Sequence, residues 1–257
     1  MSDTLRRVIR TLIAENSRAI RALTRLHTGD SKPAAEMFNL GPDDVQQLAL
    51  DIPSLAHAKG VVGKGSRGIA FSLDNGNILK VFYGSDVAAF RSYEKMQNDQ
   101  GTGHATALTP MIYDLGSTTV GTRSGHGGAP SSRERKINYV EMGRVMPLEN
   151  WVTQLPNGAK LVNDDGGVID VALREIWGAI LGEFDDDTCI DRVIDKLDKR
   201  FGQGWRAHIK EIFILDLMRA VISYNRTHGD MIDLHVGNIG VMPGSTIDKP
   251  RFVFFDA

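Results

Sequence analysis

Cysteine is almost absent from this 257-residue chain, which contains only Cys189. A single cysteine excludes an intramolecular disulfide, and the cysteine spacings of structural zinc sites are missing as well. No activating partner is evident beside Cys189, so we expect a small packed thiol. This cysteine usage fits a reducing, cytoplasmic environment best.

Long hydrophobic runs and a strong net charge are also missing. No apolar stretch approaches the roughly 20 residues of a membrane span, and the N-terminus lacks the apolar core of a secretory signal. The formal net charge is -2, so we do not expect nucleic-acid binding driven by overall charge. We therefore expect a soluble intracellular protein without a membrane partner. The hydrophobic content of 42% suffices for a core, in one domain of two lobes or in two small domains.

The first segment has the pattern of an amphipathic helix. Apolar residues recur at helical spacing, at Leu5, Val8, Ile9, Leu12 and Ile13. The remaining positions are rich in arginine, at Arg6, Arg7, Arg10, Arg18, Arg21 and Arg25. We expect this helix to pack on the domain with a solvated basic face; a transit peptide and a docking arm for an anionic partner are the alternatives. With GPDDVQQLAL, a second helix that opens on acidic capping residues, it forms a helical N-terminal extension over residues 1–58.

Strands and turns are predicted from residue 59 onward. The segment GVVGKGSRGIAFSLDNGNILKVF has β-rich stretches around a glycine cluster, and DNG is a hairpin signal, so we predict strand, loop, strand, turn, strand. Gly63, Gly65 and Gly68 have the spacing G-x-G-x-x-G, which lets a backbone approach phosphate oxygens. This spacing alone also fits a plain turn. Its position between two strands disfavours a dinucleotide-binding fold, in which the glycines lie between a strand and a helix.

Lys80 follows between apolar neighbours on the third of these strands. Its ammonium would reach a nucleotide phosphate if the glycine loop covers that nucleotide; an outward, solvated lysine is the alternative. The next segment, SDVAAFRSYEKMQ, has the pattern of a helix capped by Ser85 or Asp86. It carries Glu94, which is placed to pair with Lys80 unless it is simply an exposed helix carboxylate.

Side chains that bear oxygen stand at the ends of short segments near the C-terminus. In IDLHVGNIGV, Asp233 and Asn238 are five residues apart, and FVFFDA contains Asp256. Mg²⁺ takes hard oxygen ligands and usually keeps substrate phosphates as partners. These residues therefore indicate a magnesium nucleotide site. Upstream of them, residues 151–230 are predicted to be mainly helical from the spacing of their apolar residues.

The order of GKGSRGIA, ILK, a helical glutamate, IDLHVGN and FFDA resembles the protein-kinase-like superfamily. The DLHxGN form is similar to that of aminoglycoside phosphotransferases and, in a compact chain, to that of the small serine/threonine kinases of T7-type phages. Matching segments cover about residues 60–257. The resemblance implies an α+β, two-lobed fold. Its β-rich N-lobe would cover residues 59–142, and a mainly helical, minimal C-lobe would cover residues 143–257.

The resemblance also implies roles for the C-terminal candidates. Asp233 would accept or orient the proton of the substrate hydroxyl, while Asn238 and Asp256 would hold the magnesium ions that bridge the phosphates. His235 would touch the γ-phosphate, with a structural histidine as the alternative.

In the N-lobe, the resemblance assigns ATP binding to Lys80, its partner Glu94 and the glycine loop. The INYVEM strand would lead into the hinge that recognises adenine. Glu141, Met142 and Gly143 would then lie near the base.

We therefore expect an ATP- and Mg²⁺-dependent phosphotransferase that acts on a serine or threonine of a protein substrate. A small-molecule kinase of the aminoglycoside-phosphotransferase type and a pseudokinase binding module are the alternatives. Two departures from the family pattern bear on this choice. Met231 stands where the family often has His or Tyr, and FFDA lacks the Phe and Gly of a DFG-like triplet. No activation segment follows, so a truncated product and a minimal kinase both stay open.

Overall fold

The computed structural model describes residues 3–27, 32–102, 108–121, 134–155, 167–181, 186–207, 209–228 and 236–255. The chain forms two compact units. The first comprises Met1–Gly103 and Met111–Gly143, and the second comprises His104–Pro110 and Arg144–Ala257. An antiparallel sheet together with separate helices makes the protein α+β, which confirms the predicted class.

The first unit begins with helices, as the apolar spacing predicts. The α-helices of this unit are α1 (Asp3–Arg25), α2 (Ala34–Met37), α3 (Pro42–Asp51) and α4 (Val87–Gly101), and a 3-10 helix spans Pro53–His57. The predicted acidic cap is present at α3, where the Gly41 N–H donates to the Asp44 carboxylate over 3.0 Å. At α4, Asp86 occupies the N-cap position but makes no capping hydrogen bond with its side chain.

The sheet of the first unit has five antiparallel strands in the order β1-β2-β3-β5-β4. Its strands are β1 (Ala58–Lys64), β2 (Gly68–Leu73), β3 (Ile78–Tyr83), β4 (Ile112–Val120) and β5 (Arg135–Met142). The predicted DNG hairpin joins β2 to β3. Gly76 adopts a φ of 87° there, a left-handed conformation that costs glycine little because it has no Cβ.

Helices cover both faces of this sheet, and strand side chains alternate between them. We call the first the N-terminal-helix face; its buried strand residues include Phe71, Leu79, Val81 and Ile137, packed with residues of α1 to α3. We call the second the α4 face; its buried residues include Phe82, Val140 and Met142, packed with Tyr93 and Met96 of α4. Neighbours along one strand therefore contact different helices.

The second unit is mainly helical. Its α-helices are α5 (Leu148–Thr153), α6 (Val168–Leu181), α7 (Asp186–Phe201) and α8 (Glu211–His228). Its small antiparallel sheet has the order β6-β7-β8 and consists of β6 (Met146–Pro147), β7 (Ile239–Val241) and β8 (Phe252–Phe254). Helices and sheet share one core, in which the Phe213 ring stacks on Trp151 at 5.5 Å and meets the edge of Phe252 at 5.2 Å. Cys189 is 2% exposed within this core, as expected of a packed thiol.

The packing expected of α1 is present in only half of the helix. Ala19, Ala22 and Leu23 are buried against the body of the first unit. The apolar residues of the first half are largely exposed instead, for example Leu12 at 58% and Ile13 at 62%. This corrects the expectation that the whole apolar face is packed: the first half of α1 extends past the elements that bury the second half.

Candidate functional site

The glycine-rich turn joins β1 to β2, and the fold requires glycine at only one of its three positions. The Gly65 N–H donates to the Gly68 carbonyl over 2.9 Å and closes the turn. A Cβ on Gly68 would lie 2.8 Å from both the Phe82 Cβ and the Val81 carbonyl oxygen of β3. A Cβ on Gly65 would meet no atom within 4 Å, and one on Gly63 would be 3.9 Å from Ala70. None of these three glycines has a positive φ. Neither packing nor backbone conformation therefore requires glycine at positions 63 and 65. The absence of side chains there leaves the surface of the turn open.

Strand register brings Lys80 into line with this open surface. Gly63 of β1 pairs with Ala70 of β2, Ala70 pairs with Lys80 of β3, and Lys80 pairs with Val140 of β5. Residues directly opposite each other in antiparallel strands share a face, so these four positions form one row on the α4 face. On one side of Lys80, the row contains only the methyl group of Ala70 and a glycine. Small residues thus leave space between the lysine and the glycine-rich turn.

Aromatic rings of the α4 face hold the Lys80 ammonium. Its Nζ lies 5.5 Å from the centroid of Phe82 and 5.6 Å from that of Tyr93. The ammonium also donates to the Tyr93 hydroxyl over 3.4 Å. Both ring distances are within the range of cation–π attraction. Lys80 is accordingly half-buried against α4, in contrast to the alternative of a solvated, outward lysine.

Glu94 does not form the ion pair with Lys80 that the sequence predicts. Tyr93 and Met96 are the α4 residues buried against the sheet, whereas Glu94 is exposed. Successive helical residues differ by about 100° around the axis, so a helix that points Tyr93 at the sheet turns Glu94 away from it. Tyr93 was missed as a partner of Lys80. The spacing of Tyr93 and Met96, three residues apart as on an inward helix face, was a signal that would have identified it.

Glu141 lies next to the row in sequence but on the opposite face. It pairs with Leu79, faces the N-terminal-helix side and is 9% exposed. Its carboxylate accepts hydrogen bonds from the Ser54 hydroxyl and from the side-chain amides of Asn75 (3.0 Å) and Asn77 (2.7 Å). Burial alone would raise the pKa of Glu141, but these three donors, helped by the nearby His57, outweigh it and hold the pKa below its ordinary value.

Three donors already engage the Glu141 side chain, so only its main chain is suited to contact a base. Met142 ends β5 on the α4 face and is 4% exposed. The N–H of the following Gly143 donates to the Met111 carbonyl over 2.8 Å. In the segment proposed as the hinge, the main-chain N–H of Gly143 thus already donates a hydrogen bond within the protein.

In the second unit, the candidate metal ligand Asn238 lies at one end of the β7–β8 pair. Ile239 pairs with Phe254, and the Asn238 carbonyl accepts a hydrogen bond from the Phe255 N–H over 3.0 Å. Asn238 is 9% exposed. Asp256 is the next residue after Phe255 in the sequence, but Asp256, Asp233 and His235 lie outside the described residues.

Within the described ranges, no three His, Cys, Asp or Glu residues form a group that is placed to hold a metal ion. Of the two predicted metal ligands, only Asn238 belongs to those ranges. The same ranges contain no helix with the length and apolar character needed to cross a bilayer.

Comparison with known proteins adds no relative: neither a protein-family model nor a curated protein sequence matches this chain.

Proposed function

We propose that this protein is an ATP-dependent phosphotransferase that transfers the γ-phosphate to a serine or threonine hydroxyl of a protein, with Mg²⁺ as the metal. One observation carries the proposal. The glycine-rich segment has two glycines that the fold does not require, and one of them, Gly63, lies in the same row of the sheet as the half-buried Lys80, with only Ala70 between them. A nucleotide phosphate needs this combination of close backbone approach and a fixed positive charge.

In the proposed reaction, the first unit binds the phosphates. The Lys80 ammonium offsets the charge that develops on the phosphoryl oxygens, and its position is restrained by the rings of Phe82 and Tyr93. The turn between β1 and β2 approaches the phosphates with its main chain. This preference for main-chain contact explains why positions 63 and 65 carry no side chain.

The second unit supplies the groups for metal binding and proton transfer in this proposal. Asn238 and Asp256 offer oxygen ligands to Mg²⁺, and the hydrogen bond between Asn238 and Phe255 brings the two stretches of chain together. The substrate hydroxyl oxygen attacks the γ-phosphorus, its proton passes to the Asp233 carboxylate, and ADP leaves. His235 contacts the γ-phosphate.

The exposed position of Glu94 favours a second candidate, a pseudokinase that binds nucleotide without transferring phosphate. Protein kinases need the pair between the strand lysine and the helix glutamate for activity. Tyr93 occupies the place beside Lys80 that this glutamate would take. The family motif DLHVGN supports a third candidate, a kinase of the aminoglycoside type that phosphorylates small molecules.

Incubation with γ-labelled ATP and Mg²⁺ distinguishes these candidates. We expect label to appear on serine or threonine of proteins in a cell lysate, and Lys80→Met to lower transfer by roughly 10² to 10³-fold, as when one charge-stabilising donor is removed. Lys136→Met is the matched control, since Lys136 is a strand lysine whose ammonium lies 5.3 Å from the Phe90 ring of α4. It should keep wild-type activity.

Equal activity in wild type and Lys80→Met would refute the assigned role of Lys80. Label on an aminoglycoside but not on protein would favour the small-molecule kinase. Nucleotide binding without any transfer would favour the pseudokinase.

A further inference from the structure

The first half of α1 has an apolar face that nothing covers among the described residues. Val8, Ile9, Leu12 and Ile13, which we call the exposed stripe, are 48%, 38%, 58% and 62% exposed. Positions 8, 12, 19 and 23 fall close together around a helix of 3.6 residues per turn. The exposed stripe therefore continues the face of α1 on which Ala19 and Leu23 are buried in the second half.

The opposite side of α1 is strongly basic. Arg7, Arg10, Arg18 and Arg21 are all exposed, and the acidic residues of the helix are Asp3 and Glu15. From residue 6 to residue 14 the helix contains no acid. An isolated apolar stripe would not select a charged partner, but a stripe backed by this excess of arginine complements a surface that is both apolar and anionic.

We propose that the first half of α1 docks this protein on an anionic lipid surface. The exposed stripe enters the boundary between head groups and acyl chains, and the arginines are attracted by the lipid charge. An amphipathic helix with a strongly charged face and little overall hydrophobicity lies in the plane of the membrane instead of crossing it. The proposal concerns surface binding and no membrane span, and it does not depend on the phosphotransferase function.

Two other partners explain the surface less well. A nucleic acid would engage the arginines, including the open concavity that Arg7, Arg10 and Arg18 line around Ala14, but would leave the exposed stripe in water. A second copy of the chain would cover the stripe, but it would leave the arginines on the outer faces of the pair without an anionic partner. Four side chains on fewer than two helical turns also bury little area beside the 1,200–2,000 Å² typical of a stable protein interface. A lipid surface accommodates both the exposed stripe and the arginines, and it does not need a shape that is complementary to the helix.

Co-sedimentation of the full chain with vesicles tests the proposal. We expect binding to vesicles of phosphatidylcholine with 30% phosphatidylglycerol and little binding to pure phosphatidylcholine, with weaker binding as salt is raised. Leu12→Gln/Ile13→Gln should lower the partition coefficient roughly tenfold or more, because it removes apolar area from the contact. Arg7→Gln/Arg10→Gln should lower it roughly 25-fold, at about fivefold for each arginine near the surface.

Each double variant has a matched control elsewhere in the chain. Leu50→Gln/Ile212→Gln removes two other exposed aliphatic side chains, which are 63% and 40% exposed. Lys196→Gln/Lys199→Gln removes two exposed cations from α7. Both controls should bind as wild type does. Because the altered side chains of α1 are exposed and glutamine is a good helix former, circular dichroism should show an unchanged fold.

Several results would overturn the proposal: equal binding to neutral and anionic vesicles, equal losses in the control variants, or wild-type binding by Leu12→Gln/Ile13→Gln. A concentration-dependent dimer that this variant abolishes without vesicles would assign the stripe to a second copy. Binding to an oligonucleotide but not to vesicles would assign the arginines to nucleic acid.

Discussion

Lys80 and Glu141 are charged residues of neighbouring strands whose side chains lie on opposite faces of the sheet and have different surroundings. Lys80 pairs with Val140, and Glu141 follows Val140 on the same strand, yet the two charged side chains point to opposite faces. On the α4 face, Lys80 rests on aromatic rings and adjoins open surface. On the N-terminal-helix face, Glu141 is buried and accepts hydrogen bonds from three side chains. The proposed phosphate contact belongs to the lysine, whereas the glutamate ties the 3-10 helix and the β2–β3 turn to β5.

This difference predicts a pH-dependent contribution of Glu141 to stability. Glu141→Gln should lower the free energy of unfolding at pH 7 by about 2 kcal/mol, the range for hydrogen bonds to a charged group. The folded-state pKa of Glu141 is below its unfolded value of about 4.3. Its contribution is therefore complete above the unfolded pKa and is lost as pH falls through the lower, folded pKa.

Urea unfolding followed by circular dichroism between pH 7 and pH 3 would measure this effect. The difference in the free energy of unfolding between wild type and Glu141→Gln should become smaller below about pH 4.3. Glu36→Gln is the control, because Glu36 is an exposed glutamate of the same unit with only a 3.9 Å contact to Lys32. A difference that stays constant over this range would show that the Glu141 charge does not contribute.

Among the secondary-structure elements, the β1–β2 hairpin combines structural and open glycines. Gly68 is buried where β2 meets β3, and its neighbours there are the Phe82 Cβ and a main-chain oxygen. Neither atom is the end of a flexible side chain, so little adjustment is available. Gly65, the first residue after β1, faces open space.

Gly68→Ala and Gly65→Ala should therefore have different consequences. Gly68→Ala should lower the free energy of unfolding by roughly 1–3 kcal/mol, as expected of overpacking. Gly65→Ala should leave stability nearly unchanged but weaken ATP binding, because a Cβ would separate the turn from the phosphates. Denaturation and ATP titration of both variants would check this. Unchanged ATP affinity in Gly65→Ala would make the turn a plain hairpin connection.

For the molecule as a whole, the two units have cores of different composition. The chain has three tryptophans, Trp151, Trp177 and Trp205, and all of them belong to the second unit. The sheet and helices of the first unit are packed with phenylalanine, tyrosine and aliphatic residues. Tryptophan fluorescence therefore reports unfolding of the second unit, while circular dichroism reports both.

Ligand binding should stabilise the second unit if Asn238 and Asp256 hold magnesium. In wild type, ATP with Mg²⁺ should raise the melting temperature seen by tryptophan fluorescence; ligand at 100 times its Kd contributes about 2.7 kcal/mol. Asp256→Asn should reduce this shift, because a neutral amide attracts a divalent cation less than a carboxylate does. A shift that persists in excess EDTA and is equal in both proteins would contradict magnesium binding at Asp256.

Local patterns were sufficient to predict most elements of the fold. The 3.6-residue spacing of apolar positions located α1 and the helical stretch that contains α6, α7 and α8. Acidic capping residues located α3, and turn residues located the β2–β3 hairpin. These predictions succeed because backbone conformation responds to near neighbours: glycine at a positive φ, or alternation along a strand. The candidate residues Lys80 and Asn238 could also be selected, because their motifs are contiguous in sequence.

Packing settled the questions that involve distant parts of the chain. Periodicity defined the apolar stripe of α1 but not where the body of the protein ends, so the exposure of Leu12 and Ile13 had to come from the fold. The rotation of α4 that turns Tyr93 inward and Glu94 outward depends on how Tyr93 and Met96 fill space on the sheet. The partners of Glu141 come from 64 to 87 residues away in the chain. No local pattern encodes such contacts, because they arise only when separate elements compete for the same buried volume.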